Sequence, residues 1–511
     1  MIRRNWPQAT LWLCITLQAA ITLSLSLTLR YTFKTSGHDG YIFAQLLHNA
    51  IAGDGLVTTI APPFTLQHWL GFHFSPILYA LAPIFRLFPH VETLLVLHSV
   101  FLALAAWPIY RIACHLLGSP KLALIAAISY LINPFVFNAG IWDFHEIAVA
   151  PLLIAYGIWA VITRRRLLLL CVCLLLLTVK EHYGLSVAGF GLLWIWHCRK
   201  RWRFGIGLTV LGLLAFCVIL KIIMPHFSPL DMPVMMVGDS LLDRYSWLFD
   251  MFNHQDTLHR VLFQSLLYGL LLFFYFLFLP IASIIWLLPA SADLVANMLT
   301  SVDMPRYPFS YHSAAIIPTL IVASIMYVRR QKNHQQKWIM GALAVLAWPM
   351  AYAGLQTPLH PGNMWETDRM TLAYSPQDQQ ALTHINAILA SDTAITAQDN
   401  ILPHIKLGLN RHSFPNAMSS SEYMILKIDF MLTRSTTIMG APYSVRAPVY
   451  FEYVEKLLAQ KQWGIAYYQG DWFLLKKGTA DISGGRDAAR KALVNAQKQY
   501  KQTLQAVKAA Q

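Results

Sequence analysis

The sequence predicts a polytopic α-helical membrane protein with about eleven transmembrane helices and a C-terminal α/β domain outside the cytoplasm. Three observations predict it. Of 511 residues, 56% are hydrophobic and only 13% charged, against about 25% charged in an ordinary soluble domain. Apolar runs approach the roughly 20 residues that cross a bilayer core. After about residue 356 these runs give way to shorter alternating segments.

The N-terminal Met-Ile-Arg-Arg precedes an apolar segment with no small-residue cleavage motif close behind it, which predicts an uncleaved first span. The predicted spans are 10–31, 91–117, 121–141, 146–163, 167–180, 183–198, 204–224, 261–280, 281–299, 313–328 and 338–355. The fifth is short: thirteen residues from Leu167 to Val179 reach only about 20 Å. The segment 74–88 is apolar but contains Pro76, Pro83 and Arg86, and it is predicted to lie in the interface. With the N-terminus cytoplasmic and 74–88 not spanning, the clusters Arg164-Arg165-Arg166, Arg199-Lys200-Arg201 and Arg329-Arg330 all fall in the cytoplasm, as the positive-inside rule expects. A spanning 74–88 would put all three outside. The net charge of +14 follows from such clusters, and no nucleic-acid partner is expected.

In the C-terminal region, residues 356–478, "DTAITAQ" reads as a helix-then-strand entry, "EYMILKID" as a strand, "VYFEYVEKLL" as a helix and "WGIAYYQGDWFLLKKG" as a hairpin. The tail 479–511 is basic and helix-prone, suited to anionic headgroups or to a solvated, frayed terminus. The six cysteines all lie in or beside apolar segments, so neither a disulfide framework nor a metal spacing is read.

Ionisable groups near membrane depth are candidates for function, because burying them unpaired costs several kcal/mol. They fall in four groups that this topology brings to the outer face: Asp39; Asp143, His145 and Glu146; Lys180, Glu181 and His182; and Arg306, Tyr307, Tyr311 and His312. A structural reading stands beside each. Asp39 suits the start of the following helix. Asp143 with Glu146 three residues on has the form of a capping box. Lys180 could pair with Glu181 or snorkel from a short helix.

The stretches "HDGYIFAQLLHNAIAGDGL", "HFSPILYALAPIFRLFP", "WDFHEIAVAPLL", "TVKEHYGLSVAGFGL", "YHSAAIIPTLIVA", "AITAQDNILPH" and "EYMILKID" occur in this order. Over about 37–478 the chain resembles the bacterial membrane-protein family called domain of unknown function 2079. That family is grouped with the type-C glycosyltransferases (GT-C), which use polyprenyl-phosphate sugars and carry a first catalytic acid in the first outer loop. The resemblance implies a GT-C-like fold in the bacterial inner membrane. It places Asp39 at the first acidic position, though Asp39-Gly40 lacks the family's spacer and Ala44 stands where a second Asp is expected. Asp143 resembles the second acidic position of the lipid-A aminoarabinose transferases and protein mannosyltransferases. His73 falls in His-Phe-Ser-Pro, and Lys180-Glu181-His182 resembles Lys-Glu-Asp with His for Asp. Segment 74–88 resembles the peripheral helix of those transferases.

The expected activity is transfer of a sugar from a polyprenyl-phosphate donor at the outer membrane face. Asp39 and Asp143 are the expected catalytic residues. His73, His145, Lys180, Glu181, Arg306, Tyr311 and His312 are expected to bind substrate, with Lys180 and Arg306 toward phosphate. The cofactor is unassigned; a divalent cation held by Asp143 and Glu146 is the candidate. The alternatives are a transporter or flippase of a lipid-linked substrate, and an inactive glycan- or lipid-binding protein. Sugar, acceptor and oligomeric state are not legible.

Overall fold

The computed structural model describes residues 6–34, 38–61, 65–228, 248, 255–307, 310–343, 371–390, 392–429 and 447–510. The expected span 338–355 beyond residue 343, most of the loop 225–260 and the start of the C-terminal region lie outside the described residues. Contacts divide the chain into two units. The first takes Met1–Ser26, His68–Leu81 and Leu94–Gln356; the second takes Leu27–Gln67, Ala82–Thr93 and Thr357–Gln511.

The first unit is mostly helical. Among the described residues of the chain, five helical stretches are long and apolar enough to cross a membrane: Trp6–Tyr31, Val91–Leu117, Arg199–Phe227, Gln255–Phe274 and Leu279–Leu299. Shorter apolar helices include Pro120–Leu131, Glu146–Ile162, Arg166–Leu176 and Ile317–Val328. Ile77–Leu87 is a separate helix of 11 residues, about 16 Å long and so half a bilayer core. Large apolar side chains face outward, with Leu214 59% and Phe263 69% exposed. An aqueous surface rarely tolerates such a belt, whereas lipid accepts it.

Two features set the backbone around the candidate site. The helices Tyr183–His197 and Trp202–Val218 meet along a seam of small residues: Gly184, Ala188 and Gly191 against Gly205, Thr209 and Gly212. A Cβ on Gly184 would lie 2.7 Å from the Gly212 carbonyl oxygen, and one on Gly205 2.6 Å from that of Gly191. In an apolar solvent such close backbone packing, rather than the hydrophobic effect, holds helices together. The second feature is an irregular backbone within the stretch Leu279–Leu299, which matches the expected span 281–299. After Gln255–Phe274 the backbone turns at Leu277 and Phe278, both at positive φ. Leu279–Ala290 then runs as 3₁₀ turns interrupted at Ser283, and an α-helix resumes only at Ser291–Leu299. Pro280 and Pro289 remove two backbone donors from this stretch.

The second unit carries a five-stranded sheet. Its strands are β1 (Ile395–Ala397), β2 (Arg411–Ser413), β3 (Tyr423–Lys427), β4 (Trp463–Gln469) and β5 (Trp472–Lys477). The spatial order is β2-β1-β3-β5-β4. The β1 strand is parallel to β2 and β3, while β5 is antiparallel to β3 and β4. The β4–β5 hairpin turns at Gly470, whose φ is +60°, a conformation glycine adopts without a Cβ clash. Every residue of β3 is buried, as a central strand covered on both faces requires.

One face of the sheet packs Met424, Leu426, Trp463, Phe473 and Leu475 against Val454 and Leu457 of the helix Ala447–Ala459 and against Ala489, Leu493 and Ala496 of the helix Gly485–Ala510. The tail is therefore no frayed appendage over that stretch: its apolar i, i+4, i+7 stripe completes a core. On β3, Lys427 lies 2.9 Å from Asp471, 3.2 Å from Asp378 and 4.0 Å from Asp429. Its ammonium also sits over the rings of Phe33 and Trp472.

Candidate functional site

The first unit gathers charged side chains from four separate segments. Lys180 Nζ lies 3.0 Å from Glu146, whose side chain is fully buried. His73 Nδ1 lies 3.1 Å from Glu181 Oε1, and the Phe74 backbone N–H donates to Glu181 Oε2 at 3.0 Å. His182 Nε2 lies 2.9 Å from Asp293 Oδ1. The sequence explains how they converge. The helix Arg166–Leu176 ends early, so 177–182 forms an irregular polar turn. That turn is pinned where the Ile77 N–H donates to the Thr178 carbonyl at 2.9 Å, which brings His73 and Phe74 onto Glu181.

Burial raises the Glu181 carboxyl, but the neighbouring His73, Lys180 and His182 outweigh it and hold Glu181 below its usual range. His73 moves down because burial and the Lys180 charge disfavour imidazolium more than Glu181 favours it. In this pair an ionised Glu181 carboxylate can only accept, so His73 Nδ1 is the donor.

Asp143 is half-buried in an irregular turn. The N-cap position of the 3₁₀ turn that follows falls on His145 and not on Asp143. The 3₁₀ turn Glu146–Val149 has His145 at its N-cap position with no side-chain cap bond, and Glu146 instead meets Lys180. His98 fixes the turn that carries Asp143. Its Nε2 is 2.8 Å from the Ala139 carbonyl, and its Nδ1 accepts the His145 N–H at 3.3 Å. The His145 ring stacks on Tyr311 with centroids 3.6 Å apart, and Tyr311 stacks on His312 at 4.1 Å. Asn297, one turn beyond Asp293, donates to the His312 carbonyl and to the Tyr268 hydroxyl, both at 3.2 Å.

Arg306 is buried and its donors are engaged. It donates to Gln264 from Nε and Nη2, to Asp303 from Nη2 at 2.9 Å, and to the Thr300 carbonyl. This is the pattern of a residue that ties its own loop, and the guanidinium has little left for a phosphate.

Asp39 belongs to the second unit. It lies in the first turn of the helix His38–Ala52 rather than in an open loop, where a carboxylate favours the helix dipole. The neighbouring His38 Nδ1 lies 3.4 Å from Asp399 Oδ1, and Ser413 donates to the same carboxylate. Further along the helix, Gln45 donates to Thr59 and to the carbonyls of Gly408 and Leu409.

Reading the sequence missed His98, Asp293 and Asp399. Asp293 is an acid inside an apolar run, which is itself a signal; Asp399 sits in the quoted "AITAQDN". His98 offered none beyond being polar in a span.

Among the described residues no group of three or more His, Cys, Asp or Glu side chains is placed to hold a metal. At Glu146 an ammonium already stands at ion-pair distance.

Long apolar helices around a buried set of acid–base pairs define a mostly helical integral membrane protein. The chain belongs to the predicted membrane protein family DUF2079, whose sequence pattern matches residues 29–444. No curated protein matches the chain at a significant level. The chain is similar to a crystal structure of ArnT from Cupriavidus metallidurans in the apo state, with a TM-score of 0.49 and 11% identity over 92% of this chain and 98% of that one.

Proposed function

We propose that the protein is a GT-C-like glycosyltransferase that uses a polyprenyl-phosphate-linked sugar at the outer face of the bacterial inner membrane. The observation that carries this reading is the set of three interleaved pairs, Glu146–Lys180, Glu181–His73 and Asp293–His182. Buried carboxylates with cationic and imidazole partners are groups that can take up, hold or return protons beside a lipid phase. Sugar transfer needs a base for the acceptor hydroxyl, a role assigned to Asp39, and an orienting carboxylate, assigned to Asp143. Lys180 is the ammonium offered to a departing phosphate, in exchange for Glu146. In this reading residues 1–355 form the eleven-span transmembrane domain, 356–478 the extracytoplasmic domain and 479–511 the basic tail, with the N-terminus cytoplasmic.

Transfer from radiolabelled polyprenyl-phosphate sugars in membranes tests the activity. Asp39→Asn should lower it by about 10²–10⁴, the usual contribution of a general base, with expression retained. Wild-type rates in both Asp39→Asn and Asp143→Asn would remove the assignment. A reporter that works only outside the cytoplasm, fused after Gly478, should be active. The interrupted helix at Leu277–Ser283 favours a second reading, a transporter of a lipid-linked substrate, because broken helices mark transport sites. Movement of label across the bilayer without transfer would establish that reading instead.

A further inference from the structure

Two polar atoms beside the paired cluster are left without partners. Asp293 is 7% exposed, and its Oδ1 is occupied by His182. Its Oδ2 is buried and has no hydrogen-bond partner among the described residues. Tyr183 is fully buried, and its hydroxyl likewise has none. His182 links the two residues: the ring of its neighbour Tyr183 packs on it with centroids 4.3 Å apart, and its Nε2 holds Asp293 Oδ1. The carboxylates of Asp293, Glu146 and Glu181 all act electrostatically on the Tyr183 phenol.

A buried carboxylate oxygen requires a donor, and a buried phenol offers one donor and accepts another. We propose that Tyr183 and Asp293 form a hydroxyl-binding pair that recognises the sugar moiety of the ligand. The inference rests on the transferase reading above and deepens it. Of the parts of a lipid-linked sugar, only the sugar ring supplies what both atoms lack. A ring hydroxyl donates to Asp293 Oδ2, and a neighbouring ring oxygen accepts from the Tyr183 hydroxyl. An ionised phosphate brings acceptors only and would meet Asp293 acceptor to acceptor. The polyprenyl tail brings neither donor nor acceptor. Sites built to hydrogen-bond a hydroxyl discriminate strongly against ligands without one, because their own polar groups are then stranded. The pair is therefore a determinant of donor selectivity distinct from the proposed base, Asp39.

The test is equilibrium binding to the purified full chain in nanodiscs. The probes are polyprenyl-phosphate hexose, polyprenyl-phosphate pentose and bare polyprenyl phosphate. Wild type should bind one of the sugar lipids more tightly than the bare lipid. Tyr183→Phe and Asp293→Asn, which both keep side-chain shape, should each weaken that sugar lipid by at least about tenfold. The loss is read as the ratio of sugar-lipid to bare-lipid affinity, and size-exclusion profiles report that each variant is folded. If both variants keep the full preference for the sugar lipid, ordered water satisfies these atoms and the pair is overturned alone. If wild type shows no preference for either sugar lipid, the transferase reading falls and the pair falls with it.

Discussion

Lys180 and Glu146 form an ion pair at 3.0 Å in which the carboxylate side chain is fully buried and the lysine retains 15% exposure. The lysine follows a helix that stops short, and the glutamate opens the 3₁₀ turn before another helix. The pair therefore locks two polar breaks together. It also joins both residues to the Glu181–His73 pair, because Lys180 and Glu181 are adjacent in sequence.

Removing one member should cost more than removing both. Lys180→Met leaves Glu146 buried and uncompensated, a loss on the order of 3–5 kcal/mol. Glu146→Gln with Lys180→Met should recover a large part of it. Thermal unfolding of the purified variants completes the double-mutant cycle. Additive losses would mean the two groups are not coupled.

Acid should destabilise the fold. His73 is held below its ordinary value of 6.5 by burial and Lys180, and Glu181 below 4.5 despite burial. The folded state thus binds fewer protons than the unfolded chain at each group. The His73 contribution is complete above its ordinary value and is lost as pH falls from there through its lower folded value; the Glu181 contribution is lost below 4.5. Tm should fall from about pH 7 to about pH 5, and His73→Gln should flatten that slope. An identical slope in His73→Gln would assign the acid sensitivity elsewhere.

The glycine seam gives a contrast within one helix. A Cβ on Gly212 would run into the Gly184 carbonyl and the Ala188 backbone, whereas one on Gly207 meets nothing within 4 Å. Gly207→Ala should be tolerated, with a gain of up to about 1 kcal/mol from helix propensity. Gly212→Leu should force the helices apart and sharply lower the yield of folded protein. Size-exclusion profiles in mild detergent distinguish the two. Equal profiles would show that the seam does not hold this helix pair.

In the second unit, the single ammonium of Lys427 stands at ion-pair distance from Asp378, Asp429 and Asp471. Lys427→Met would leave these carboxylates facing one another. The loss should lie at the low end of about 3–5 kcal/mol, because Asp429 and Asp471 are a quarter exposed or more. Limited proteolysis should then cut within the sheet region at lower temperature than in wild type. Unchanged resistance would mean that solvent already screens the three carboxylates.

The sequence by itself determined the membrane class and much of the local structure. Apolar run length gives helices such as Trp6–Tyr31, and period-two and turn signals give β3 and the β4–β5 hairpin. These are properties of neighbouring residues, so a linear reading finds them. It also singled out Glu146, Lys180, Glu181 and His182, because charge among apolar runs is conspicuous in one dimension, whereas His73 came only from the family resemblance. Only the tertiary structure decided which charges pair. Glu146 takes Lys180 in place of a cap, His182 takes Asp293, and Arg306 turns to Gln264 and Asp303. It also decided that residues 27–67 and 82–93 group with the C-terminal residues, and that the tail's Ala489, Leu493 and Ala496 are core. The physical reason is that an ion pair or a packed stripe depends on distances between segments far apart in sequence. Side-chain spacing along the chain fixes which face a residue occupies, but not what meets that face.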